Sequence, residues 1–219
     1  MKRPRVRVGH QDLLRAAGDR RGKNRLVIIS GAAAPLITGE QCVPTGLHWT
    51  YNASAVAATT AREVVGEGGR TWYFMTADYV GGYVLEEAAE NALIEAGGEV
   101  AGKIAHPFPG QDFSSFLLSA QASGADVIGL ANAGNDTINS IKQAAEFGIN
   151  RTQSLAATLL FITDVQSLDL EAAQGMYLTE AFYWDFDEQA REWSNAFFDE
   201  QGRMPTMIQA GVYQRCSII

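Results

Sequence analysis

The sequence has few of the residues and motifs on which catalysis, metal binding or nucleotide binding usually depends. Its two cysteines, Cys42 and Cys216, are far apart and match no metal-binding or C-x-x-C spacing. We expect its three histidines, His10, His48 and His106, to be structural or solvent-facing rather than catalytic. Neither phosphate-binding glycine motif follows an apolar run, and no G-x-S-x-G motif occurs. We therefore expect no catalytic residue, no metal and no cofactor.

Long apolar runs are also missing. A secretory signal joins a basic start to an apolar run of about 7–15 residues, whereas the longest apolar run in GHQDLLRAAGDRRGKN, after MKRPRVRV, is two residues. No later stretch approaches the ~20 apolar residues of a membrane span. The sequence as written predicts no export signal and no membrane anchor, and a chain that stays in the cytoplasm.

The charge is unevenly distributed. The total is −8, but residues 1–25 carry nine Lys or Arg against two Asp, a net +7, which leaves −15 for the rest. The strongly acidic remainder of the chain repels the phosphate groups of nucleic acids. The basic N-terminal segment lacks the interleaved aromatic residues that are typical of nucleic-acid binding. We therefore expect no nucleic-acid partner, and we treat residues 1–24 as an atypical basic head.

From residue 25 onward, short apolar segments alternate with longer amphipathic ones. The pattern predicts strands at 25–30, 46–51, 71–76, 99–106, 125–132 and 154–163. It predicts helices at 54–69, 82–98, 113–124, 135–148 and 187–202, the fourth capped by Asn135 or Asp136. Repeated β-α-β units with apolar strands indicate an α/β fold with a parallel sheet covered by helices.

In such a sheet, ligands bind beyond the carboxyl ends of the strands. The candidate ligand-binding loops are SGAAAP, TYNAS, TADY, ANAGND and ITDV, which follow the first, second, third, fifth and sixth predicted strands. They contain hydroxyls, amides, small residues, aromatic residues and isolated carboxylates. This set suits holding a small amphiphilic molecule rather than transforming it.

Two of these carboxylates leave alternatives open. Asp78 follows a buried strand and precedes Tyr79, so it can serve as an acid or base, or cap the next helix. Asp164, after LLFIT, has the same two alternatives.

Several longer segments together resemble one family. They are TWYFMTADYVGGYVLEEAAENALIEAGG, HPFPGQDFSSFLLSAQASGADVIGLAN, IKQAAEFG and GMYLTEAFYW, together with VIISGAAAPLITGEQC at residues 27–42. This combination resembles the periplasmic solute-binding proteins of ABC importers, of the leucine/isoleucine/valine-binding type. The similarity covers residues 25–213, whereas the basic head resembles nothing in the family.

The resemblance implies a two-lobed periplasmic binding fold of parallel-sheet βα units. Residues 25–70 correspond to a partial lobe one, residues 71–184 to a nearly complete lobe two, and residues 185–219 to a truncated return to lobe one. Family members begin with an export signal and about 100 further residues of lobe one, so we expect a fragment truncated at both ends. Family members are periplasmic, whereas this chain shows no export signal.

In lobe one, the resemblance implies that the loop after the first strand grips the ligand. Backbone groups and a hydroxyl do so in the family, at positions that match Ser30, Ala32 and Ala34. Ala34 has no hydroxyl, which departs from the amino-acid binders. Tyr51 and Asn52 follow the second strand and supply side contacts.

In lobe two, the resemblance implies that Tyr79 covers the ligand. Asp78 lies beside it at the same strand exit. Ala133 occupies the position of a second aromatic residue and implies a roomier pocket, and Asp164 lies near the position of the acidic partner of a ligand ammonium.

The predicted function is the substrate-binding component of an ABC importer, not an enzyme. Its ligand is a branched-chain amino acid or, given Ala34 and Ala133, a small amide or aromatic carboxylate. Its partner is a membrane permease. Two alternatives remain, a cytoplasmic ligand-sensing domain of the same fold and a small α/β hydrolase or transferase that uses Asp78, Tyr79 or Asp164.

Overall fold

The computed structural model describes residues 26–216, with side chains as far as residue 214. The chain divides into two compact units, of which the first contains the described residues up to 52 and from 181 onward, and the second contains Ala53–Glu180. The basic head and His10 lie outside the described residues, as does the Cys216 side chain. Within the described part, no helix is both long and apolar enough to cross a membrane.

The elements alternate as the sequence pattern predicts. The strands are β1 (Val27–Ile29), β2 (Gly46–His48), β3 (Thr71–Ala77), β4 (Glu99–His106), β5 (Val127–Ala131) and β6 (Ser154–Ala157). The α-helices are α1 (Ala53–Gly66), α2 (Val80–Glu95), α3 (Ser114–Ala122), α4 (Asn135–Glu146), α5 (Ile162–Val165), α6 (Leu170–Ala173), α7 (Glu188–Gln201) and α8 (Met207–Cys216). Short 3₁₀ helices occupy Pro35–Ile37 and Ile149–Arg151.

The second unit is built on a four-stranded parallel sheet in the order β4-β3-β5-β6. The central strand β3 carries Trp72, Phe74 and Met75, all fully buried. Since side chains alternate across a strand, Trp72 and Phe74 share one face, with ring centroids 5.6 Å apart, and Met75 points to the other. There it joins a core with Phe113 and Leu117. The aromatic run of β3 is therefore core packing.

Helix α1 packs against α2 in the second unit. The predicted lobe boundary at residue 71 would instead place α1 with lobe one. The boundary between the two compact units lies earlier, after Asn52. The reason is that the buried face of α1, with Val56, Ala57 and Val64, packs within the second unit. The assignment of segments to lobes stays a prediction.

The described part of the first unit has a small parallel sheet in which β1 pairs with β2. Val27 and Ile29 form its core with Ala32. Helix α7 is joined to α8 by aromatic packing, in which Trp193 stacks on Tyr213 with ring centroids 4.8 Å apart.

The sixth predicted strand is shorter than expected. Residues 154–163 were predicted to be extended, but β6 ends at Ala157. There the Thr158 hydroxyl donates to the carbonyl oxygen of Leu130 at 2.8 Å, and the chain then enters α5. Later in the chain, Tyr177 pairs with Ala156 as an isolated parallel bridge rather than as part of a further strand.

Candidate functional site

The carboxyl edge of the second-unit sheet brings several strand exits together. Because all four strands are parallel, their carboxyl ends lie along one edge, where α/β proteins bind ligands. In the order of the sheet, the exit loops carry Phe108 after β4, Tyr79 after β3, Ala133 after β5 and Thr158 after β6.

Tyr79 lies at the exit of the central strand and is partly buried. Its ring stacks on Phe108, with centroids 4.4 Å apart and an interplanar angle of 18°. Burial raises the pKa of the Tyr79 hydroxyl, and the negative charge of Asp136 raises it further. The hydroxyl therefore keeps its proton at neutral pH, and it makes no hydrogen bond to a described residue.

Asp78 does not cap the following helix, so that alternative is wrong. The N-cap of α2 is Tyr79, without a side-chain capping hydrogen bond. The exposed Asp78 carboxylate instead accepts a 2.7 Å hydrogen bond from the Tyr83 hydroxyl, which raises the pKa of Tyr83. Asp78 thus adds negative charge beside Tyr79.

Asp136 is the buried carboxylate of this edge, 3% exposed. Its Oδ2 atom accepts a 3.0 Å hydrogen bond from the Gly110 N–H and lies 3.8 Å from Nδ1 of His106. The expected capping of α4 by Asn135 or Asp136 is wrong, because Gly134 is the N-cap and no side chain caps this helix. Asp136 links the β5 exit to the β4 exit instead.

His106 is structural, as the sequence predicts. Its ring is buried, meets the ring of Phe113 edge-on at a centroid distance of 4.9 Å, and has Nε2 3.3 Å from the Asn132 amide nitrogen. The Asn132 oxygen in turn accepts a 2.8 Å hydrogen bond from Thr137. This network holds the β4 and β5 exits in fixed relation.

Ala133 lies in the β5 exit loop and is partly exposed. The next residue, Gly134, has φ 61°, and a Cβ atom added there would meet nothing within 4 Å. The space beside this loop is therefore open.

Asp164 is held by the backbone. Its Oδ2 atom accepts a 3.1 Å hydrogen bond from the Phe161 N–H at the start of α5. Nearby, Glu180 accepts a 3.0 Å hydrogen bond from the Ile162 N–H. Burial, together with the charge of Asp164, raises the pKa of Glu180 to about 7 although the Ile162 hydrogen bond lowers it. These two carboxyl groups form a separate acidic pair after β6.

The predicted loop of the first unit contains an unpartnered buried hydroxyl. Ser30 follows β1, is 5% exposed, and its Oγ atom has no hydrogen-bond partner among the described residues. His48 is structural here, since its Nε2–H donates to the Ala32 carbonyl oxygen at 2.7 Å. Ala34 precedes the 3₁₀ helix and accepts a 3.2 Å hydrogen bond from the Ile37 N–H.

Tyr51 and Asn52 lie between β2 and α1, where Tyr51 is buried and Asn52 partly exposed. A separate pocket of about 270 Å³ lies within the first unit, beside Thr50 and Met207. None of the nine predicted site residues lines it.

Sequence reasoning missed three residues of these edges, namely Phe108, Asp136 and Glu180. Phe108 follows β4, the fourth predicted strand, whose exit loop is not among the five candidate loops. The rule that ligands bind beyond the carboxyl ends of parallel strands applies to this loop as well. Asp136 lies in the candidate loop ANAGND, but its expected role is to cap the helix that follows. Glu180 carries no local signal, because its altered pKa depends on burial. Among the described residues, no group of three or more His, Cys, Asp or Glu could hold a metal ion.

The parallel sheets and the helices that alternate with their strands define an α/β protein. A family model described as periplasmic binding protein matches residues 8–219, and the chain belongs to this family. The match extends into the basic head, so the expectation that this segment resembles nothing in the family is wrong for residues 8–24. Its members are non-enzymatic binding proteins of ABC transporters, which confirms the expectations of family, fold and absence of catalysis. A comparison with curated proteins gave no match.

Solved structures agree with this assignment. A periplasmic binding protein from Burkholderia mallei is 45% identical, with TM-score 0.83, and the match covers 92% of this chain and 54% of that one. A branched chain amino acid ABC transporter periplasmic ligand-binding protein from Burkholderia xenovorans LB400 is 36% identical, with TM-score 0.87, over 94% and 56% of the two chains. The present chain therefore spans about half the length of these relatives.

A more distant match shows the fold alone. It is a solute binding protein of an ABC transporter from Rhodopseudomonas palustris BisB5, in complex with 3,4-dihydroxy benzoic acid. It is 20% identical, with TM-score 0.80, over 92% of this chain and 56% of that one.

Proposed function

We propose that the chain supplies ligand-binding groups of an ABC importer's solute-binding protein. Its ligand is a branched-chain amino acid, a related small amide or an aromatic carboxylate. The intact protein acts in the periplasm and delivers the ligand to a membrane permease.

The observation that carries this proposal is the state of Tyr79. A partly buried phenol at the exit of the central strand, protonated and without a partner among the described residues, is a hydrogen-bond donor available to a ligand. The backbone at this strand exit is itself hydrogen-bonded, since the Asp78 N–H donates to the His106 carbonyl oxygen at 2.8 Å and the Tyr79 N–H donates to the Ala77 carbonyl oxygen at 2.7 Å. A donor on so rigid a support costs little entropy when a ligand binds.

The first unit supplies a second group of the same kind. The Ser30 hydroxyl is buried without a partner among the described residues, and such a group costs stability unless something pairs with it. A ligand carboxylate is a suitable acceptor. Tyr51, Asn52, Asp78, Ala133 and Asp164 remain further proposed contacts, as do the backbone groups of Ala32 and Ala34.

The nature of the ligand is supported only in general terms. The relative from B. xenovorans is described as the periplasmic ligand-binding protein of a branched chain amino acid ABC transporter, and the protein from R. palustris is in complex with 3,4-dihydroxy benzoic acid. Both ligands carry a carboxylate beside an apolar group. This shared chemistry is the basis of the proposed substrate class.

The test is isothermal titration calorimetry of the full chain with leucine, isoleucine, valine, benzoate and benzamide. We expect at least one ligand to bind, and Ser30→Ala and Tyr79→Phe each to weaken it about five- to tenfold through loss of one hydrogen bond. Ser194→Ala is the matched control, since Ser194 also has a buried hydroxyl without a partner among the described residues.

Tyr213→Phe serves as the control for the phenol. Binding of none of these ligands, or binding that all four variants leave unchanged, would contradict the proposed function. A loss with the two controls equal to that with Ser30→Ala and Tyr79→Phe would also contradict it.

A further inference from the structure

We propose that Phe108 selects ligands that carry a planar aromatic group. This inference rests on the proposed function and narrows its substrate class to aromatic carboxylates. It concerns the β4 exit loop of the second unit alone.

The geometry of Phe108 points to this role. The side chain is 46% exposed although its ring stacks on Tyr79 at 4.4 Å. The contact with Tyr79 orients the ring, so the exposed surface of Phe108 is held at the strand-exit edge. Ligand sites are lined mainly by apolar and aromatic side chains, with a small number of polar groups placed among them.

The support of the loop is equally specific. Gly110, two residues after Phe108, donates its N–H to the buried Asp136 carboxylate at 3.0 Å. Phe113 anchors the other end of the loop, because its ring is fully buried and its N–H donates to Gln143 at 2.8 Å. Phe108 is therefore presented by an anchored loop.

The charges of this edge indicate which part of a ligand meets Phe108. Asp136 is buried near Tyr79, whose pKa is raised by burial and then by the negative charge of Asp136. Asp78 carries a second carboxylate at the β3 exit. Two negative charges disfavour a ligand carboxylate placed against either of these two side chains. The carboxylate therefore lies away from Asp78 and Asp136, and the uncharged part of the ligand lies at Phe108.

An aromatic group gains more from this surface than an aliphatic one of the same size. Offset stacking of two aromatic rings adds about 0.5–1.5 kcal/mol beyond the area they bury, which corresponds to a preference of about two- to twelvefold. A saturated ring buries similar area against Phe108 but lacks this term.

The test compares benzoate with cyclohexanecarboxylate, which has the same carboxylate and a saturated ring, by titration calorimetry of the full chain. We expect benzoate to bind about two- to twelvefold more tightly. Phe108→Leu should abolish this preference, and Phe108→Tyr, which keeps the ring, should retain it.

Phe147→Leu is the matched control. Phe147 is 42% exposed, close to the exposure of Phe108, and lies at the C-cap of α4, away from the strand exits. Its substitution should leave the preference intact. Thermal midpoints of all three variants verify that they are folded.

The outcomes separate the two proposals. Equal affinities for benzoate and cyclohexanecarboxylate, a preference that survives Phe108→Leu, or binding of leucine with no binding of benzoate each overturns the role of Phe108. In those cases the proposed function stands if Ser30→Ala and Tyr79→Phe still weaken binding. Binding of none of these ligands overturns both.

Discussion

The ring of Tyr79 occupies the space that a side chain on Gly81 would need. A Cβ atom built on Gly81 would lie 2.5 Å from Cε2, 2.8 Å from Cζ and 2.8 Å from the hydroxyl oxygen of Tyr79. The second residue of α2 is thus a glycine whose missing side chain leaves room for the candidate ligand-binding phenol.

We expect Gly81→Ala to weaken ligand binding without lowering stability. The added methyl displaces a tyrosine ring, which moves at small cost, and alanine favours a helix over glycine by up to ~1 kcal/mol. Calorimetry should show at least a threefold loss of affinity, with a thermal midpoint equal to or above that of the wild type.

Gly66→Ala is the control for Gly81→Ala. Gly66 is also helical, but a Cβ atom there would meet nothing within 4 Å. It should keep full affinity. An unchanged affinity of Gly81→Ala would show that the position of the Tyr79 ring does not depend on Gly81.

Gly82→Ala, in contrast to Gly81→Ala, should destabilise the second unit. Here the Cβ atom would lie 2.2 Å from the carbonyl oxygen of Ala77 and 3.1 Å from that of Ala131. These are backbone atoms at the ends of β3 and β5, so α2 would have to move away from the sheet. We expect a loss of about 2–3 kcal/mol in the free energy of unfolding, measured by urea unfolding. Stability equal to that of Gly81→Ala would contradict this close approach.

Asp126 is expected to stabilise the opposite edge of the sheet at neutral pH. Its Oδ2 atom accepts hydrogen bonds from the N–H groups of Thr71 and Arg70 at 2.9 and 3.0 Å. The backbone and side-chain hydrogen bonds of Thr71, and then that of Arg70, lower the pKa of Asp126 below 3.8. Since Asp126 is exposed, we expect Asp126→Asn to cost only about 0.5–1 kcal/mol at pH 7.

The pH dependence of this effect has a definite sign. A lowered pKa stabilises the fold above the unfolded value of 3.8, and this contribution disappears as the pH falls through the folded value. The deficit of Asp126→Asn should therefore shrink below pH 3.8 in urea unfolding. Glu87→Gln, an exposed charge without a hydrogen bond to a described residue, is the control and should show no deficit.

Glu180 should make the second unit less stable as the pH rises. Its pKa is raised from 4.5 to about 7, so the folded state binds the proton more tightly than the unfolded chain between these values. The contribution is fully present below pH 4.5 and is lost as the pH rises through about 7.

We therefore expect Glu180→Gln to be more stable than the wild type by about 1–3 kcal/mol at pH 8 and equal to it near pH 4. Urea unfolding followed by circular dichroism measures both values. The exposed Glu171, replaced by Gln, should show neither effect. A wild type whose stability relative to Glu180→Gln is the same at both pH values would refute the assignment.

The strands and helices were largely predictable, because each depends on local periodicity. Thr71–Ala77 and Val80–Glu95 are an apolar strand and an amphipathic helix in the sequence as in the structure. The helix caps were less predictable. Asp78 and Asp136 accept hydrogen bonds from Tyr83 and Gly110 instead of capping helices, and the sequence alone does not show which donors will lie near them.

By itself, the sequence determined the order of βα units, the apolar character of the sheet and the strand exits at which Ser30 and Tyr79 lie, because these follow from residue pattern. Only the tertiary structure decided that Phe108 stacks on Tyr79, that Asp136 is buried beside both exits and that Glu180 holds its proton near neutral pH. The order of the strands in the sheet brings together residues from separate loops, and burial changes the pKa of an acidic group among them. No local sequence pattern predicts which residues will be neighbours.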